Sequence, residues 1–137
     1  MSHPTTQAFR AAVEARDPDA MADLLAEDVV FRSPVAFKPY PGKAITASIL
    51  AEVVQVFSDF TYVREIGGAD AADHALVFEA KVGDKALTGC DFLHVNDDGL
   101  IDDFMVMVRP LSGAQALSEQ MAARFENIVA RATAASA

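Results

Sequence analysis

The sequence predicts an α+β fold in which helices pack on one face of a curved antiparallel sheet. Three observations carry this. Apolar residues fall at helical spacing in three early segments, 6–16, 18–27 and 43–57. Across 60–110 they alternate instead, in successive strand-like runs separated by turn residues. Helical spacing then returns over 112–132. A chain of 137 residues with no internal repeat, low-complexity block or second boundary is one domain, 1–137, with a fraying tail at 132–137.

The first helix, "TQAFRAAVEAR", spaces Phe9, Ala12, Val13 and Arg16 along one face. Asp17 suits an N-cap, with Pro18 at the first helical position and Asp19 at the positive helix end. That starts a second helix, "PDAMADLLAE", burying Met21, Leu24 and Leu25. The period changes at "DVVFRSP", where Val29, Phe31 and Ser33 point one way, and Pro34 stops the strand. The segment "PVAFKPYPG" is a loop, with three prolines and a glycine in nine residues. A third helix follows on Ile45, Ile49, Val53 and Val56. Strands over 60–66, 74–82, 86–95 and 100–110 are joined by Gly67–Gly68, by the tight turn Gly83–Asp84 and by "NDDG". Leu117, Met121, Phe125 and Ile128 then form the stripe of one C-terminal helix.

Hydrophobic residues make up 52% of the chain and charged ones 23%, a globular rather than disordered balance. A net charge of −9 repels phosphate backbones and anionic lipids, which argues against nucleic acid and membrane surfaces as partners. The start, "MSHPTTQAFRAAVEARD", lacks the basic and apolar regions of a signal peptide, and no apolar run approaches the ~20 residues of a membrane span. The expected location is cytoplasmic. Cys90 is the single cysteine and reads as a small buried hydrophobe.

Two helices, "DPDAMADLLAEDVVFRSP", a Pro-rich loop, "GKAI" and four strands ending "VMVRP" resemble the nuclear transport factor 2-like superfamily, and more closely its SnoaL-like branch, over residues 5–110. The resemblance implies a cone: a bent sheet wrapped by three N-terminal helices around a cavity, here with a C-terminal helix added. It also implies a homodimer paired through the outer face of the sheet. Superfamily members include isomerases, cyclases, hydrolases and non-catalytic binders, so the activity must come from the residues. In the ketosteroid isomerase pattern, a tyrosine on the first helix falls at Phe9 and the general-base aspartate falls at Ser33. The second oxyanion donor, a protonated aspartate, falls at Asp91. Phe9 cannot donate and Ser33 is no base near neutral pH, which argues against steroid isomerisation by that route. The polyketide cyclase pattern asks mainly for an acid in the cavity, which Asp91 meets. The Asp–Arg–Asp relay of the epoxide hydrolases has possible members in Arg64, Asp91 and Asp102 or Asp103.

Asp91 is the main candidate because it interrupts "TGCDFLHV", otherwise a buried strand. It shares a face with Leu87, Gly89 and Leu93. Two readings are open: a general acid or base with a raised pKa, or a structural carboxylate paired with Arg64, Arg32 or a backbone amide. Ser33, Tyr40, Phe9, Phe31, Leu93, Phe104 and Val106 are the expected ligand-binding wall, and the expected ligand is an apolar small molecule. Asp102 either joins Phe104 and Val106 inside or lies on the solvated strand start. Arg109 either meets an anion at the mouth or ties down the C-terminal helix. His94 faces away from Asp91 and reads as a packed or interface histidine. Scattered histidines with one cysteine make no transition-metal site, and "NDDGLIDD" lacks a calcium loop's ligand pattern, so no metal or cofactor is expected. The rival reading is a non-catalytic dimeric ligand-binding or protein-interaction module.

Overall fold

The computed structural model describes residues 3–136. Helix α1 (Pro4–Glu14) is capped by His3, whose Nδ1 accepts from the Thr5 amide. Helix α2 (Pro18–Ala22) begins on the expected cap, with Asp17 accepting from the Ala20 amide at 3.1 Å. It ends five residues before the sequence predicts. Leu25 leaves the helix because its backbone pairs with Ile101, and strand β1 runs from Leu25 to Arg32. A helix would also bury Leu24 and Leu25, so side-chain pattern alone does not separate the two outcomes.

Tyr40–Pro41 forms a two-residue strand, β2, inside the expected loop. Helix α3 (Lys43–Val56) follows, and strands β3 (Ser58–Ile66), β4 (Asp73–Val82), β5 (Lys85–Val95) and β6 (Ile101–Arg109) form the meander. The sheet order is β2-β1-β6-β5-β4-β3. One pair departs from the all-antiparallel expectation: β1 lies parallel to β6, with Phe31 beside Phe104. Both turns of the long hairpins use glycine at positive φ, Gly83 at 60° and Gly99 at 78°.

The C-terminal segment is two helices, α4 (Leu111–Ala123) and α5 (Phe125–Ser136), broken at Arg124. Helix α5 runs to Ser136, over most of the segment expected to fray; residue 137 lies outside the described residues. Glu52, buried on α3, ties both sides of the break down: Arg124, at the break, donates to it at 2.8 Å and Arg131 of α5 lies 3.5 Å from it. The anchoring role considered for Arg109 therefore falls to Arg124 and Arg131. Helices α1, α3, α4 and α5 cover the inner face of the sheet, where Leu25, Val29, Leu76 and Ile101 are almost fully buried. No helix among the described residues is long and apolar enough to cross a membrane.

Candidate functional site

A cavity of about 260 Å³ opens between the inner face of the sheet and helices α1, α3, α4 and α5. It lies just below the ~300–1,000 Å³ usual for small-ligand clefts. Two aromatic groups flank it. Phe9, Phe31 and Phe104 form one, with Phe104 edge-on to Phe9 at 5.3 Å. Phe57, Phe60 and Phe78 form the other, with Phe60 stacked on Phe78 at 4.8 Å. Gly89 makes this second group possible, since a Cβ there would sit 2.2 Å from the Phe78 ring.

Asp91 projects into the cavity from the middle of β5, with Leu76 and Val106 as its cross-strand neighbours. Its residue surface is 6% exposed. Burial alone pushes the carboxyl up to about 7, and no ion pair or hydrogen bond among the described residues offsets it. None of the structural partners considered for it is in place. Arg32 pairs with Asp103 at 3.3 Å and Arg64 is exposed on β3. Asp102 turns outward to His94, whose Nδ1 lies 2.6 Å from the carboxylate. The four candidates for the three-residue Asp–Arg–Asp relay therefore do not converge.

Phe9, Phe31, Ser33, Tyr40, Phe104 and Val106 line the cavity with Asp91. Leu93 does not. It lies two residues along β5, towards the end of the sheet that the N-terminus of α1 covers through Thr5 and Gly99. There it packs in the core between His74 and Phe104. Ser33 accepts from the Val35 amide at 3.1 Å, which shapes the loop leaving β1.

Tyr62 is the residue that sequence reasoning missed. It lines the cavity from β3, is 7% exposed, and its hydroxyl has no hydrogen-bond partner among the described residues. Burial first, then the charges of Asp91 and Glu14, push its phenol well above the ordinary value, so it remains a donor at neutral pH. Arg10 lies over its ring at 5.2 Å. The signal in "FTYVREI" was the one hydroxyl-bearing aromatic on an inward-facing strand position, though a core tyrosine would look the same.

The outer face of the sheet carries Cys90, Phe92, Met105 and Met107 in cross-strand pairs, with Phe92 and Met107 exposed. Cys90 is only partly buried. Burial, then the Asp91 charge, raises its thiol pKa, which disfavours the reactive thiolate.

A curved, open six-stranded sheet wrapped by helices around a cavity is the nuclear transport factor 2-like cone. Within that class the chain belongs to the SnoaL-like domain family, whose model matches residues 6–104. It is similar to a steroid delta-isomerase from Pseudomonas aeruginosa, with 42% identity and a TM-score of 0.87 over 94% of this chain and 99% of that one. It is also similar to a protein with a cystatin-like fold from Silicibacter pomeroyi, with 40% identity and a TM-score of 0.85 over 89% and 85% of the two chains. An NTF2-like protein from Mesorhizobium loti shares the fold at 17% identity and a TM-score of 0.69, over 77% and 88%. No curated protein sequence matches the chain.

Proposed function

We propose that this is a cytoplasmic, homodimeric small-molecule protein that binds an apolar, oxygen-bearing ligand in the cavity and uses Asp91 as a general acid or base without a cofactor. The observation that carries the reading is an unpaired, buried carboxyl on an otherwise mostly apolar wall. A carboxyl titrating near 7 is split between acid and base at neutral pH, the condition that favours proton transfer in both directions. Neutral Asp91 and the Tyr62 hydroxyl donate to the ligand oxygen, while Ser33 and Tyr40 position polar groups nearer the loop.

Steroid isomerisation by the three-group route is disfavoured, since Phe9 offers no donor and Ser33 no base. The open cavity also favours a ligand-binding role over a cone filled by its own side chains. The exposed Phe92 and Met107 support pairing through the outer sheet face.

Native mass spectrometry of the purified protein tests both parts in one measurement. The expected spectrum is a dimer carrying a retained small molecule, with the adduct weakened in Asp91→Asn. A monomer at tens of micromolar would remove the dimer. A ligand-free protein that also fails to take up naphthols would remove the binding function.

A further inference from the structure

Arg16 is the single basic residue among those lining the cavity. It follows the C-cap of α1 at φ 52°, a left-handed conformation that favours glycine or asparagine. Arginine brings no backbone advantage there, so its side chain is the feature to explain. Its Nη2 donates to the Phe57 carbonyl at the end of α3, at 3.1 Å. That bond uses one of five donors and fixes the guanidinium at the edge of the cavity. Among the described residues no carboxylate lies within ion-pair distance of it; Arg10, Arg32, Arg124 and Arg131 all have one, and Arg64 and Arg109, which also lack one, do not line the cavity.

The polar groups of the cavity thus fall into two sets. Tyr62 and Asp91, both buried, offer donors to a neutral oxygen, and the Tyr62 hydroxyl has no other partner. Arg16, exposed, offers a fixed planar cation. Apolar and aromatic side chains dominate the wall around both.

We infer that the ligand is an apolar carboxylic acid with a hydroxyl or carbonyl oxygen remote from the acid, its carboxylate held by Arg16 and its oxygen by Tyr62 and Asp91. This rests on the cavity being a ligand site, and it adds the charge of the ligand and the residue that selects it. With a net charge of −9 the protein repels anions at a distance, so retention of one depends on a local contact of this kind. The competing account is that Arg16 only closes α1 against α3 through Phe57.

Binding of 6-hydroxy-2-naphthoic acid, its methyl ester and 2-naphthol, followed by naphthol fluorescence at pH 7, separates the two. The unmodified protein should bind the acid about three- to tenfold more tightly than the ester, a charge-assisted contact discounted for exposure. In Arg16→Gly and Arg16→Gln the preference for the acid over the ester should disappear. The glycine variant suits the left-handed backbone and so should fold. An ester bound as tightly as the acid by the unmodified protein overturns this inference and leaves the cavity reading standing. A preference for the acid that survives both substitutions overturns the role of Arg16. Failure of all three compounds to bind overturns the cavity reading, and this inference with it.

Discussion

Asp91 and Glu52 are both buried acids, 6% and 3% exposed, in opposite surroundings. Glu52 is held by Arg124, at the break between α4 and α5, and by Arg131 on α5. Asp91 has burial around it and no compensating charge. Burial alone therefore does not distinguish a structural acid from a functional one. What distinguishes them is whether the fold supplies a partner. Glu52 is satisfied by the chain and docks the C-terminal helices over the cavity. Asp91 faces the cavity, and no group among the described residues pairs with it.

The largest expected effect of breaking this contrast is at Glu52. Glu52→Ala removes the shared partner of two arginines and should cost about 2–3 kcal/mol. That is less than the ~3–5 for a fully buried pair, because the arginine side chains are 29% and 49% exposed. Urea denaturation measures it, and the helices covering the cavity should also exchange amide hydrogens faster. A loss below about 1 kcal/mol would mean that the apolar seats of Leu117 and Ile128 hold the helices without the ion pairs.

Asp91 should behave in the reverse sense. Below its unfolded value of ~4 the acid is protonated in both states, and its burial carries no charge penalty. As pH rises from ~4 to about 7 the unfolded state ionises while the folded state resists, so stability is lost over that window and stays lower above it. Asp91→Asn should therefore stabilise the protein by about 1–2 kcal/mol at pH 8 and have little effect at pH 4. The buried amide keeps some desolvation cost, which holds the gain below the full linkage value. Denaturation midpoints at the two pH values decide it. Equal midpoint shifts at both would mean that Asp91 is not neutral in the folded state near 7.

The contrast also marks how far the sequence could be read. Asp91 was legible because strand alternation is local: an acid on the face of Leu87 and Leu93 must be buried wherever the strand packs. The element order and the two glycine turns were legible for the same reason. Glu52 was not, because its partners lie 72 and 79 positions away and helical spacing runs on through Leu117, Met121, Phe125 and Ile128 without announcing a break. The parallel pairing of β1 with β6, and with it the early end of α2, is likewise a distant contact. Tyr62 was hidden because an inward aromatic in a strand predicts core, and only the absence of a partner for its hydroxyl sets it apart. Leu93 shows the opposite error: sharing a face with Asp91 does not place a residue on the cavity, which occupies only part of that face.

A third acid gives the smallest expected effect and sharpens the rule from the other side. Asp102 is paired, like Glu52, but its pairing with His94 lies on the outer face, where their side chains are 30% and 42% exposed. The hydrogen bond from Asp102 is the largest influence raising the His94 pKa; burial opposes it, and the charges of Asp102, Asp73 and Asp103 add to it. Asp102→Asn removes the largest of these influences and should lower that pKa towards the ordinary ~6.5. Imidazole nitrogen shifts followed against pH would show this directly. In stability the pair contributes fully below ~6.5, and its contribution is lost as pH rises through the raised folded value. Solvent screening keeps that contribution under ~0.5 kcal/mol. An unchanged His94 titration in the variant would mean that the 2.6 Å contact is not maintained in solution. A partner then would not be enough to make an acid structural, and the enclosure that Glu52 has and Asp102 lacks would be the deciding condition.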